Sequence, residues 1–260
     1  TSTAGTFVGS WITQYTQSSD LLMFLVPFGI TVASVLTLCV ILPDRPAVSS
    51  DSKMNPLIML RSIFAPFRDW DFSWAFGSRF LIMMAWSFLL TYQLFFLTDQ
   101  LSLSRSDATQ VMVKSMAIIA SATIAISLVG GFITDWTGRR KPLIFVAAAL
   151  EASGFLVIAL APSVSQFLVG VALAGIGKGL YFAVDLALLA AILPSEEDRA
   201  KDMSVFQIAN SLPQSLAPAI APIILAIGSA SGKNYAAIYI VGCLFALLGA
   251  FAINPVRRSR

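Results

Sequence analysis

Histidine is absent from this 260-residue chain, and only 12% of its residues are charged. The first absence removes the commonest metal ligand and general base. The second separates the chain from soluble domains, which carry about 25% Asp, Glu, Lys and Arg. Cysteine occurs only at Cys39 and Cys243, each inside an apolar run. Neither a disulfide framework nor a zinc site has material to form from, and two inert buried thiols are expected. No nucleophile elbow is present, so enzyme chemistry lacks its usual groups and no cofactor or metal is expected. Residues 1–19 carry no basic region of the kind that opens a secretory leader. The chain begins with Thr rather than Met, which methionine removal and truncation explain equally well.

What the chain has in quantity is apolar sequence: 57% of residues are hydrophobic and the mean hydropathy is +0.80. The periodic runs predict an all-α integral membrane protein with seven transmembrane helices, at 20–42, 73–98, 108–133, 142–161, 164–193, 204–228 and 235–253. The shortest covers about 28 Å at 1.5 Å per residue, enough for a hydrocarbon core of about 30 Å. Helix is favoured because backbone polar groups in lipid must be satisfied within the segment. Barrel strands would alternate polar and apolar residues, and runs such as Leu143–Leu150 do not.

The cations divide unequally between the two sets of connections. Twelve fall on one side: Arg45, Lys53, Arg61 and Arg68, then Arg139, Arg140 and Lys141, then Arg199 and Lys201, then Arg257, Arg258 and Arg260. The other side holds Arg105 and Lys233. An excess of Lys and Arg marks the cytoplasmic side. The expected topology is therefore an outer segment and first span over 1–42 and a cytoplasmic loop over 43–72. A six-helix bundle follows over 73–253, then a cytoplasmic basic tail over 254–260. The N-terminus is expected outside and the C-terminus in the cytoplasm. The net charge of +3 reflects loop cations facing the membrane surface, not a nucleic-acid footprint. The 43–72 loop ends in aromatic, basic sequence (Phe64, Phe67, Arg68, Trp70), which suits both an interfacial segment and a solvated tether.

One connection is distinctive. Gly131-Phe-Ile-Thr-Asp135-Trp-Thr-Gly138-Arg139-Arg140-Lys141 sets three cations, one carboxylate and two glycines between two long apolar runs. A tight turn there needs glycine for positive φ and close backbone approach. The run resembles the loop signature of the major facilitator superfamily, G-x-x-x-D-R-x-G-R-R-[KR], and departs from it at Trp136, where a basic residue is usual. The resemblance implies a fold of twelve helices in two halves. Here the signature follows span three and a long cytoplasmic loop follows span one. The seven spans would then be family helices six to twelve, the C-terminal part of the fold, with the N-terminal half of the same transporter as partner. Ala183-Val-Asp185 with Leu193-Pro194, and Asn210-Ser-Leu-Pro213-Gln214 with Pro218, look like helices ten and eleven of bacterial sugar-carrier-like members.

The resemblance also implies a gate. In the family the signature aspartate sits against the N-terminus of helix eleven, and its arginines engage nearby acids. Gly131, Asp135, Gly138, Arg139 and Arg140 would form one side of that gate, with Glu196, Glu197 and Asp198 on the other. The alternative is that these cations only set topology and reach to headgroups.

Ionisable side chains inside spans are costly and expected to face a bundle interior or a wet cavity. Four lie well inside: Lys114, Glu151, Lys178 and Asp185. Lys178 and Asp185 are seven residues apart, with Tyr181 and Phe182 on the same helix face. That stripe of cation, two aromatics and carboxylate suits an organic solute with polar edges and flat faces; a structural ion pair is the other reading. Glu151 is expected to be structural, paired with Lys178 or protonated, and Lys114 to reach the outer surface. Gln207, Asn210, Ser211 and Gln214 share one stripe of span six, which Pro213, Pro218 and Pro222 interrupt. Broken helices near the midplane are common binding places in carriers. In span two Arg79, Trp86 and Gln93 recur every seven residues, with Trp86 and Gln93 expected to line the cavity and Arg79 to sit near the cytoplasmic entrance. Gly175, Gly177 and Gly179 allow close helix approach.

These features predict a secondary carrier for a small polar organic solute, sugar-like, working by alternating access in the lipid bilayer, with Asp185 the candidate for proton coupling. Two alternatives stand beside it: an efflux carrier for drugs or amphiphiles, and a truncated half-carrier inactive alone. A seven-helix receptor is disfavoured by the signature hairpin and the short outer loops.

Overall fold

The computed structural model describes residues 20–41, 64–138, 140–192, 199–228 and 233–256. The chain is all-α, with no strand among the described residues. It divides into two compact units, Thr1–Pro56 and Leu57–Arg260. The first contains α1, Asp20–Ile41. From Phe28 onward this helix exposes large apolar side chains all round, including Phe28, Leu36, Val40 and Ile41, as a lipid-facing span does.

Among the described residues the second unit holds six α-helices: α2 (Trp70–Phe95), α3 (Arg105–Thr137), α4 (Arg140–Ala159), α5 (Val164–Ile192), α6 (Arg199–Leu225) and α7 (Tyr235–Ala252). All six are long and apolar enough to cross a membrane. They differ from the sequence expectation by a few residues at their ends, because capping groups rather than hydropathy set the termini. Asp69 starts α2 by accepting from the N–H groups of Asp71 and Phe72 at 2.9 and 3.1 Å. Ser104 accepts from Asp107 N–H to start α3, and Asn234 from Ala237 N–H to start α7. At its far end α2 widens into a π-helical turn, Phe96–Gln100. With 33 residues, α3 is about 50 Å long, well beyond an apolar core of about 30 Å.

Gly138 closes α3 with φ +63°, and its N–H returns to the Thr134 carbonyl at 2.9 Å. This is the left-handed cap that favours glycine. Gly131 is different: it lies inside α3, and a Cβ there would meet nothing within 4 Å. The hairpin is thus turned by Gly138 alone, and the expectation of two turn glycines is corrected.

Close glycine contacts seat α5 against both neighbours. A Cβ on Gly154 of α4 would fall 2.5 Å from Ala174 N, and one on Gly177 would fall 2.6 Å from Glu151 N. On the other side, Gly179 approaches Thr123 O of α3 at 2.9 Å from its Cβ position. Between α2 and α7, Ser78 donates to the Gly249 carbonyl at 2.7 Å. Phe72, Ile82, Leu89, Phe96, Phe155 and Phe167 fill the core of the unit. α6 runs without interruption through Pro213, Pro218 and Pro222, so the expected break in this helix is absent. Each proline still lacks the N–H that would return one turn earlier, to Ala209, Gln214 and Pro218 in turn.

Candidate functional site

Three helices meet around one ion pair. Arg79 lies nine residues into α2, Asp185 seven residues before the end of α5, and Asn210 eleven residues into α6. At 1.5 Å per residue these positions are about 10–16 Å from their helix ends. Chain alternation puts those ends at the same face of the unit as the Gly138 turn. Arg79 Nη1 donates to Asp185 Oδ2 in a buried ion pair. Asp185 Oδ1 also accepts from the Tyr181 hydroxyl at 2.9 Å. Arg79 Nε donates to Asn210 Oδ1 at 2.8 Å, and Asn210 Nδ2 donates in turn to Gln207 Oε1 at 2.9 Å. The guanidinium lies 4.9 Å from the Phe206 ring centroid. A planar cation with a forked donor set suits this arrangement, since it can hold a carboxylate and an amide while resting on a ring.

The network runs from a sealed interior to an accessible face. Arg79, Tyr181 and Asp185 are buried, Asn210 is half-buried, and Gln207, Ser211 and Gln214 are exposed. The amide stripe foreseen on this helix therefore lies on the surface of the unit and reaches inward through Asn210.

A second polar cluster lies deeper. Lys178 Nζ sits 3.9 Å from the Trp86 ring centroid and 5.5 Å from that of Phe182. Glu151 of α4 is close enough for its charge to be felt by Lys178, and Trp86 packs edge-on against Phe155 at 6.1 Å. Glu151 is 1% exposed, and neither of its carboxyl oxygens has a hydrogen-bond partner. Trp86 Nε1, both polar atoms of Gln93 and the Tyr239 hydroxyl are likewise buried without partners.

Two expectations are corrected here. Lys178 and Asp185 do not form a pair: Asp185 belongs to Arg79 and Tyr181, and Lys178 to Trp86, Phe182 and Glu151. Seven residues separate them by two helical turns, about 10 Å, which is too far for a contact. Trp86 and Gln93 do not face an open cavity, being 2% and 0% exposed; they line the enclosed interior. Lys114 is exposed on the surface of the unit.

At the hairpin, Lys141 Nζ donates to the Asn254 carbonyl at 2.9 Å, tying the start of α4 to the end of α7. Arg140 is half-buried. The side chains of Asp135, Arg139, Glu196, Glu197 and Asp198, assigned to the gate, lie outside the described residues. At the opposite face, Asp99 pairs with Lys233 at 2.8 Å and accepts from the Tyr235 hydroxyl at 2.8 Å. Sequence reasoning gave no role to Asp99, Tyr235 or Asn254. Their partners are more than a hundred residues away, and no local pattern signals such contacts.

Residues 75–259 match the family model described as Major Facilitator Superfamily. In fold, the chain is similar to the proton:xylose symporter XylE bound to 6-bromo-6-deoxy-D-glucose, with 21% identity and a TM-score of 0.60 over 73% of this chain and 44% of that one. It is also similar to a bacterial homologue of the human lysosomal transporter Spinster, in an inward-facing, unoccupied conformation. The identity there is 18% and the TM-score 0.61, over 97% of this chain and 66% of that one. The chain thus spans less than half the length of the first and about two thirds of the second. No match to a curated protein was found.

Proposed function

This chain belongs to the major facilitator superfamily, and on that footing we propose that it supplies one half of a secondary transporter for a small polar solute. Membership of a transporter family makes it an integral membrane protein and not an enzyme. The observation that carries the solute assignment is the continuity from Gln207 through Asn210 to the Arg79–Asp185 pair. It places exposed amides in line with a buried charge pair, so that a solute hydrogen-bonding to Gln207 and Asn210 alters the contacts of Arg79. Gln214 extends the same face, and the half-buried Phe182 of α5 flanks Lys178. Hydroxyl-rich solutes match amide donors and acceptors in number and geometry. A sugar-like substrate is therefore our first choice, and the similarity to a proton:xylose symporter is consistent with it.

The remaining half of the cavity is assigned to an N-terminal half of the same transporter. The basic connections are assigned to the cytoplasm, with the N-terminus outside. Closure of the cytoplasmic face is assigned to Asp135 and Arg139 with Glu196, Glu197 and Asp198, on the signature resemblance alone. The test is uptake of labelled pentoses and hexoses into proteoliposomes holding the full-length transporter. Uptake of at least one sugar, lost in Asn210→Ala and in Asp135→Asn with membrane insertion intact, is the expected result. A transporter that moves amphiphilic dyes and no sugar would remove the substrate assignment. Undiminished uptake in Asp135→Asn would remove the gate.

A further inference from the structure

Asp185 is the obvious place to look for an exchangeable proton in this unit, and its surroundings argue against it. Its carboxylate has a guanidinium partner on one oxygen and a phenol donor on the other. Both of its oxygens are thus already committed to donors. Glu151 presents the opposite case. It is as deeply buried, and both of its oxygens are without a hydrogen-bond partner. An ionised carboxylate in that condition is far from stable unless water, a cation or a proton meets it.

The groups around it narrow the choice. Across the α4–α5 contact, where a Cβ on Gly177 would fall 2.6 Å from Glu151 N, α5 contributes Lys178, with Tyr181 and Asp185 further along. α2 contributes Trp86, with Arg79 two turns away; α7, which also packs against α4, carries Tyr235, Tyr239 and Cys243 as its titratable groups. Arg79 is already committed to Asp185 and Asn210. Lys178 is the cation whose charge reaches Glu151, and it rests on the rings of Trp86 and Phe182 without forming an ion pair within 4 Å to Glu151. Trp86 is close enough for its indole N–H to act on the Glu151 carboxyl, though the contact falls short of hydrogen-bond geometry. A buried carboxyl and a buried indole N–H, neither in hydrogen-bond geometry, thus converge beside the ammonium of the half-buried Lys178.

We propose that Glu151, not Asp185, is the proton-binding carboxyl of this unit, with Lys178 and Trp86 as its positioning residues. Proton uptake forms an O–H bond on Glu151 and leaves Lys178 as the cation of the cluster, held by the two aromatic faces. Proton release leaves a carboxylate that Lys178 balances and Trp86 Nε1 can donate to. The exchange moves one proton and no other group. It rests on the transporter reading for its purpose, but its chemistry is measurable without a solute.

The experiment is infrared spectroscopy of the full-length transporter in lipid across a pH titration, following the C=O stretch of protonated carboxyl groups. A titrating band that disappears in Glu151→Gln and survives in Asp185→Asn is the expected result. Glu151→Asp should keep a titrating band with a displaced midpoint, and Trp86→Phe should displace the midpoint while retaining the band. Should Glu151→Gln fail to fold, carbon-13 glutamate in the unsubstituted protein must shift the band. Carbon-13 aspartate must leave it in place. A band lost in Asp185→Asn, shifted by labelled aspartate, or absent at every pH would overturn the proposal. Absence of solute uptake beside an intact Glu151 titration would count against the transporter reading only.

Discussion

Arg79 and Asp185 form an ion pair that joins α2 to α5, with side chains only 8% and 3% exposed. Two opposite charges taken out of water together can be tolerated, but one left behind cannot. Removing a single partner from a buried pair costs about 3–5 kcal/mol, whereas replacing both with apolar groups is often close to neutral. Arg79→Met and Asp185→Leu should each lower thermal stability in detergent sharply, and the double variant should recover most of the loss. A double variant as unstable as the worse single one would show that the pair does not act as a unit.

The glycines separate into three kinds, and a small series distinguishes them. Gly154→Ala drives a methyl to within 2.5 Å of the Ala174 backbone, and overpacking of that sort costs about 1–3 kcal/mol. Gly138→Ala asks an L side chain to hold φ +63°, a cost of about 1–2 kcal/mol, which Asn at the same position should partly relieve. Gly131→Ala meets open space and gains up to about 1 kcal/mol of helix propensity. Thermal unfolding of the three variants should rank them in that order, with Gly131→Ala at or above the unsubstituted protein. A destabilised Gly131→Ala would point to a neighbour outside this unit.

The helices were legible because a bilayer demands long apolar runs, and the family because its hairpin signature is local in sequence. The site was legible only in part. Hydropathy places the start of α2 at residue 73, whereas the Asp69 cap places it at Trp70. That difference moved Arg79 from the rim to the interior and hid the partner of Asp185. Helical spacing correctly placed Tyr181 beside Asp185, one turn apart on α5. The same spacing suggested a link between Lys178 and Asp185, because a shared face says nothing about distance along it. The seven-residue recurrence of Arg79, Trp86 and Gln93 marks a face of α2, but cannot say whether that face meets a cavity or another helix. The prolines of α6 read as breaks because each removes a hydrogen bond; packing carries the helix through them.

Asp99 and Lys233 make a pair of a different character from Arg79 and Asp185. Their side chains are 27% and 60% exposed, so water and salt screen the attraction, and such pairs contribute at most about 1 kcal/mol. Asp99 also receives the Tyr235 hydroxyl, which anchors the π-helical turn of α2 to the start of α7. Asp99→Asn should lower thermal stability slightly in dilute buffer, and the difference should shrink in high salt. Tyr235→Phe should produce a similar loss that salt leaves unchanged, since its hydrogen bond is less dependent on long-range attraction. Equal salt sensitivity in both variants would contradict this division.

Asn210 is where the buried network reaches the accessible face, so its replacement should affect stability and solute handling in different proportions. Its Oδ1 accepts from Arg79 Nε while its Nδ2 donates to Gln207. Asn210→Ala strands one N–H of a buried guanidinium, a loss of about 1.5–3 kcal/mol for a hydrogen bond to a charged group. Gln207→Ala removes only an exposed acceptor and should leave stability within about 0.5 kcal/mol. If the amide face handles the solute, both variants should weaken apparent affinity in proteoliposome uptake. Only Asn210→Ala should also lower the unfolding temperature. Gln207→Ala therefore carries the decisive reading, because a loss of affinity in a protein of unchanged stability cannot be ascribed to damage of the fold. Unchanged affinity in that variant would move the solute away from this face of α6.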